Sequence, residues 1–230
     1  MKNATKLLPV SDFLKEYLLP VVNESRCVTA YCCVDPRYFG KASAEKENII
    51  MTVGGGGQFI KEALRKRLDL FIELGNEFNQ KYPEYNAKFY LIGHDKESVC
   101  YNYLLPLIKS ANVELKPMTK TTDELDEYYR KASIYLQLSY WESFGIAQIE
   151  AMINRCIPIG NDGGAVHEVI ANAGFIIKDY DKELYIKTIK DILDKKFENL
   201  REAAKQHVLN NFTLVKRKET LNQVLSSFNK

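Results

Sequence analysis

The stretch from Ser133 to Gly160, SIYLQLSYWESFGIAQIEAMINRCIPIG, reads as one strand–helix–strand unit. SIYLQLS (133–139) and CIPIG (156–160) are short apolar runs rich in β-branched residues, and FGIAQIEAMIN between them has helical length with apolar residues all round. A helix that is apolar on every side is buried, here against a sheet. Two glutamates, Glu142 and Glu150, stand in this apolar unit with only Ser143 and Gln148 as polar company between them. A buried carboxylate is costly unless paired or hydrogen-bonded, so each requires a partner, from the fold or from a ligand.

The same alternation runs outward in both directions. Further strand-like runs are NIIMTV (48–53), AKFYLIG (87–93), NVELK (112–116) and GFII (174–177). Stretches with helical spacing lie between and after them: KEALRKRLDLFIELGNEF, with Leu64, Leu68, Phe71 and Phe78 near one face, then DELDEYYRKA and DKELYIKTIKDILDK. KRKETLNQVLSSF closes the chain with a stripe of Leu221, Val224, Leu225 and Phe228. Strand alternating with helix predicts an α/β, Rossmann-like domain, its parallel sheet covered by helices on both faces. In such sheets ligands sit outside the carboxyl ends of the strands. Residues 1–47 fit less well: a short helical piece after Ser11, the strand-like CVTAYCCV, and a linker, DPRYFGKASAEKEN. The predicted organisation is therefore an N-terminal segment and linker (1–47), the main domain (48–215) and a C-terminal helix (216–230).

The 230 residues carry a net charge of +2, with 46% hydrophobic and 27% charged residues. Near-neutrality gives no sequence-wide reason to expect nucleic-acid binding. No apolar run approaches a membrane span, and Asp12, Lys15 and Glu16 interrupt the N-terminus where a signal-peptide core would lie. Five cysteines, odd in number and without a C-x-x-C pair, suggest neither a disulfide framework nor a zinc site. They are expected to be reduced thiols of a cytoplasmic protein.

Three loops follow strands. TVGGGGQF places Gly54 to Gly57 between strand and helix, where bare backbone admits a phosphate; a flexible turn explains it as cheaply, and no Gly-Lys-Ser/Thr follows to make a P-loop. LIGHDKE puts His94 after a strand, which reads as a loop residue rather than a catalyst. NDGGAVHEVI carries Gly163, Gly164 and His167; the plain reading is a turn with Asp162 capping the next helix, and the glycine pair also suits backbone contact with phosphate or sugar. No nucleophile–base arrangement and no metal-ligand spacing is evident. Glu142 precedes the helix and Glu150 lies inside it, eight positions and roughly 12 Å along. Two carboxylates that far apart, with a helix N-terminus between them, suit an extended ligand with hydroxyls at its ends and an anion at its centre.

These motifs resemble the nucleotide-binding C-terminal domain of retaining glycosyltransferases of the GT-B fold, the group 1 or family 4 set. Glu142 and Glu150, with ESFG and EAM around them, match the family's E-x7-E motif. CIPIGNDGGAVHEVI is similar to its strand, Gly-Gly loop and Glu-Val-Ile, and TVGGGG with KRLDLFIEL to its diphosphate-holding strand and helix. SDFLKEYL and YCCVDPRYF resemble the end of the family's N-terminal domain and its hinge. The resemblance covers about residues 8 to 215.

It implies a nucleoside diphosphate sugar as donor, no bound metal or other cofactor, and transfer with retention at the anomeric carbon. Glu142 would contact the donor sugar and act in catalysis. Ser143, Phe144, Gly145 and Ile146 would offer backbone amides, Glu150 would bind the ribose, Gly54 and Gly55 would lie against the diphosphate, and the loop at Pro117 and Met118 would read the base. Gly55 replaces the family's usual arginine. Lys66 is the best match for its lysine, with Arg65 as surrogate arginine and Lys61 as a rival in another register. The acceptor-binding N-terminal domain is represented only by residues 1–47. The isolated chain is thus expected to bind donor with little or no transfer, completed by the missing domain or a partner chain, through which alone any peripheral membrane contact would arise. The competing reading is a non-catalytic nucleotide-binding or regulatory domain of the same fold. A dinucleotide-dependent dehydrogenase ranks last, because no G-x-G-x-x-G turn is present.

Overall fold

The computed structural model describes residues 4–34, 45–54 and 59–228. Six strands, β1 (Glu47–Val53), β2 (Lys88–Ile92), β3 (Val113–Lys116), β4 (Ala132–Gln137), β5 (Ile157–Gly160) and β6 (Phe175–Ile176), form one parallel sheet in the order β3-β2-β1-β4-β5-β6. The order reverses between β1 and β4, so the crevice at their carboxyl ends is the topological switch point where such sheets take ligands. Among the described residues the helices are α1 (Asp12–Leu18), α2 (Ile60–Arg65), α3 (Leu68–Lys81), α4 (Val99–Leu104), α5 (Thr122–Lys131), α6 (Ile146–Ile153), α7 (Val166–Ile170), α8 (Lys182–Leu193), α9 (Asn199–Asn211) and α10 (Leu214–Ser226).

Alternate residues of each buried strand enter opposite layers. Ile50, Phe89 and Leu136 pack with Phe71 of α3 and Ile189 of α8. Met51 and Tyr135 pack with Ile149 and Met152 of α6 and Val208 of α9 on the other face. Every residue of β4 is buried, as expected of a central parallel strand covered on both faces. Polar side chains fix the helix starts: Thr121, Asp181 and Thr213 each accept a backbone N–H of the first turn.

Four expectations change. CVTAYCCV forms no strand; Cys27 makes only an isolated bridge with Leu7. KEALRKRLDLFIELGNEF is not one helix: the chain breaks at Lys66 and Arg67, and Arg67 takes the left-handed conformation at φ 52°. That backbone is unfavourable for arginine, and its guanidinium is held over the rings of Tyr140 and Tyr180, 4.9 and 4.4 Å from their centroids. Leu64, predicted on the buried face, is left 43% exposed. Of the C-terminal stripe only Val224 is buried, while Leu225 and Phe228 face solvent. Asp162 caps no helix either; it pairs with His167 at 3.1 Å and Lys178 at 3.6 Å.

Residues 4–34 are fastened to the sheet domain. The Val34 N–H donates to the Phe212 carbonyl at 3.0 Å, and Arg217 donates to the Ala30 carbonyl at 2.7 Å. The Glu168 carboxylate of α7 accepts the Asp12 and Phe13 N–H groups at 2.7 and 3.0 Å, capping α1 from outside its own segment. Phe13 meets Trp141 edge-on at 5.9 Å. Glu168→Ala is expected to cost α1 about 1 kcal/mol of local stability. Hydrogen exchange over residues 12–18 should then accelerate several-fold while protection of β4 stays unchanged.

Candidate functional site

The break after α2 delivers two cations to the switch point. Lys66 lies at the carboxyl end of β1, where its Nζ donates to the Val53 carbonyl at 3.0 Å. Burial pushes its pKa down, and the nearby Glu142 carboxylate works against that shift. Arg65 turns toward the end of β4. Its Nη1 donates to the Trp141 carbonyl at 2.7 Å and lies 3.6 Å from Glu142 Oε2, while its own carbonyl accepts the Tyr140 N–H at 2.8 Å. Lys61 is exposed, its ammonium 5.3 Å from the Phe59 ring centroid. Of the two lysines weighed from the sequence, Lys66 is the one at the crevice.

Glu142 keeps 14% of its side-chain surface accessible. Beside Arg65, its Oε2 has Gln137 Nε2 and Ser139 Oγ at 3.5 Å each. Gly164 pairs with Glu142 as an isolated bridge, and the Ala165 N–H donates to the Glu142 carbonyl at 2.8 Å. The approach is close enough to demand glycine: a Cβ on Gly164 would stand 2.3 Å from that carbonyl oxygen, and φ is +68°. Gly163 likewise packs against the Ser139 carbonyl. The glycine pair therefore supports the Glu142 segment directly.

Gly145, at φ 92°, ends that segment and opens α6. The helix starts two residues later than FGIAQIEAMIN implies. Ser143, ahead of the helix, is half-buried, and Ile146 in its first turn is exposed. Phe144 is a core side chain, packed on Phe212 at 5.3 Å, so only its backbone is available to a ligand. Glu150 is half-buried in α6 and accepts the Tyr129 hydroxyl of α5 at 3.1 Å. Each glutamate of the motif thus has its own protein partners. Met118 is exposed, its N–H donating to Asp95 at 3.1 Å, and Pro117 and Met118 border a groove of about 470 Å³ beside Tyr90 and Tyr128. Gly55 lies outside the described residues.

Two polar residues carry more than the sequence indicated. His94 is not a loop residue in solvent: it is 1% exposed, neither ring nitrogen has a hydrogen-bond partner, and it fills the space a side chain on Gly54 would need, with Nε2 2.0 Å from that Cβ position. Gln148 in the first turn of α6 is fully buried with both amide atoms unpartnered. The only signal for either was a polar residue in an apolar context. Among the described residues no group of three or more His, Cys, Asp or Glu side chains is arranged to hold a metal ion, and the five cysteines are free.

A Rossmann-like parallel sheet with carboxylates, cations and a helix start converging at its switch point defines half of a GT-B-type glycosyltransferase architecture. The family model described as "Glycosyl transferases group 1" matches residues 38–208, and the chain belongs to that family. Trehalose synthases of Thermococcus litoralis and Pyrococcus furiosus are each 24% identical over 238 residues, covering 94% of this chain and 56% of their own length. The chain thus spans little more than half of these relatives. Sucrose-phosphate synthase of Thermosynechococcus elongatus superposes with TM-score 0.80 at 17% identity, covering 98% of this chain and 59% of the other. A mutant of S. aureus TarM, in complex with fondaparinux, alpha-GlcNAc-glycerol and UDP, superposes with TM-score 0.77 at 17% identity, covering 98% and 44%. No helix among the described residues is long and apolar enough to cross a membrane.

Burial and the Lys66 charge hold the His94 pKa at about 4, below its ordinary 6.5, against a smaller pull from Asp95. The unfolded chain therefore takes up a proton below about pH 6.5 that the folded chain refuses until about pH 4. Stability is expected to be full above that window and to fall by roughly 2 to 3 kcal/mol across it. Urea unfolding at pH 7 and pH 4 should show this loss shrinking by the same amount in His94→Gln.

Proposed function

We propose that this chain is the donor-binding lobe of a retaining glycosyltransferase, acting in the cytoplasm on a nucleoside diphosphate sugar. The observation that carries the proposal is the meeting of Glu142, Arg65, Lys66 and the start of α6 at the switch point. An acid next to two cations and a helix N-terminus suits a ligand that is anionic at one point and rich in hydroxyls at another. In this reading Lys66, Arg65 and the amides from Ser143 to Ile146 neutralise the diphosphate, with Gly54 and Gly55 against it. Glu142 accepts hydroxyls of the donor sugar, Glu150 those of the ribose, and the Met118 loop reads the base. The UDP in the TarM complex supports a nucleoside diphosphate as the ligand class.

The transfer step places its demand on the leaving group. The bond from the anomeric carbon to the phosphate oxygen breaks, the acceptor oxygen bonds to that carbon on the same face, and the acceptor's proton leaves on the diphosphate. Fixed cations stabilise the charge that grows on the diphosphate, an effect often worth several kcal/mol, so no metal is required. The acceptor site belongs to a further domain or partner chain of the kind that fills the rest of the relatives' length. Residues 4–34 then form its root, with residues 48–215 the donor domain proper.

Calorimetric titration with UDP, GDP and ADP and their glucose and N-acetylglucosamine derivatives tests the reading. One base is expected to bind selectively, and Glu150→Ala should weaken it about 10- to 100-fold, the loss typical of hydrogen bonds to a charged group. A folded chain that binds no member of the panel would sink the assignment.

A further inference from the structure

Beneath Glu142 the central strand carries polar groups that its burial does not explain. Tyr135, Gln137 and Ser139 occupy alternate positions at the end of β4 and just past it, so they share one face of the strand. All three are buried. A buried amide or hydroxyl is costly unless hydrogen-bonded, and these three satisfy one another in series. The Tyr135 hydroxyl donates to Gln137 Oε1 at 3.2 Å, and Gln137 Nε2 donates to Ser139 Oγ at 2.7 Å. Both Gln137 Nε2 and Ser139 Oγ reach Glu142 Oε2 at 3.5 Å.

The donor–acceptor inventory gives this series a direction. A phenol that donates to Oε1 leaves the amide's Nε2 facing the other way, toward Ser139 and Glu142. Ser139 Oγ accepts from Gln137, so its own proton is left for the carboxylate. Burial and the Glu142 charge push the Tyr135 pKa up, keeping the phenol a donor. Thr52 and Val53 of β1 work against that shift, and the Val53 carbonyl is the acceptor of Lys66. Arg65 also approaches Glu142 on Oε2. Among the described residues each hydrogen bond and ion pair to the carboxylate therefore falls on Oε2.

We propose that Tyr135, Gln137 and Ser139 are positioning residues that pin Oε2 of Glu142 and so present Oε1 to a hydroxyl of the donor sugar. The inference rests on the donor-site reading above and adds the residues that set sugar contact as distinct from nucleotide contact. Contacts of 3.5 Å are long for hydrogen bonds, and such contacts commonly tighten once a ligand is bound.

Tyr135→Phe and Gln137→Leu remove one link each at nearly constant volume; Ser139→Ala serves where either fails to unfold cooperatively in urea. Each folded variant is titrated with the nucleotide and nucleotide-sugar pair that the wild type selects, UDP and UDP-glucose being tried first. Affinity for the nucleotide sugar should fall about 10-fold, the scale of a weakened hydrogen bond to a charged group, while affinity for the bare nucleotide moves less than 2-fold. Combined with Glu142→Ala, Gln137→Leu should add nothing further, because both changes act through one carboxylate. Equal loss of nucleotide and nucleotide sugar, no loss of either, or full additivity with Glu142→Ala overturns the proposal with the donor-site reading intact. A wild-type chain that binds no nucleotide in the panel overturns both.

Discussion

The carboxylate of Glu142 must be kept where solvent reaches little of it, and much of the switch point is arranged around that demand. With 14% of its side-chain surface accessible, it needs fixed donors in place of water. The neighbouring backbone is already engaged: the Glu142 carbonyl accepts Ala165, the Trp141 carbonyl accepts Arg65, and the Tyr140 N–H donates to Arg65. Side chains therefore supply the donors. Gln137 and Ser139 come from the strand below, and Arg65 comes from across the crevice. Arg65 can turn there because the helical run ends at Lys66, and the run ends because Arg67 is held in a left-handed turn by two tyrosine rings.

The break also fixes the electrostatics of the site. Lys66 and Arg65 are adjacent in sequence, and the Arg65 charge disfavours that of Lys66 on top of its burial. Two carboxylates, Glu142 and Glu62, offset part of that strain, and His94 stays neutral beside the Lys66 charge. Two carboxylates thus face the two cations at the crevice, Glu62 at 3.0 Å and Glu142 at 3.6 Å from the Arg65 guanidinium. An anion entering the crevice therefore competes with these carboxylates for the same two cations.

The strands were legible because parallel strands buried on both faces must be apolar and β-branched, and each of the six runs read after residue 47 is a strand of the sheet, whereas CVTAYCCV before it is not. Glu142 and Glu150 were legible as carboxylates in apolar company. The helix break was not, because no glycine or proline marks it: KEALRKRLDLF has unbroken helical propensity, and the deciding contacts come from Tyr140 and Tyr180, distant in sequence. The choice of Lys66 over Lys61 depended on that break. His94 is the loop residue the sequence suggested, but its burial was not legible, because Gly54 leaves a space that only the fold reveals. Gln137 was visible as the one polar side chain amid SIYLQL beyond its first serine, and its meaning needed the register that sets it under Glu142.

The two glutamates are joined through the core. Glu150 is bonded by the phenol of Tyr129, and Glu142 is reached from the phenol of Tyr135 through Gln137. These two tyrosines are fully buried and packed on each other, ring centroids 6.2 Å apart. Both carboxylates therefore hang from one aromatic pair beneath α6, on a strand and a helix that the hydrophobic layer locks in place. Close-packed interiors resist small displacements, so the spacing between the glutamates is a property of the core and does not depend on mobile surface loops. A ligand that engages both meets a rigid gauge, and loss of the Tyr129 or Tyr135 ring would act on the site at a distance by altering that gauge.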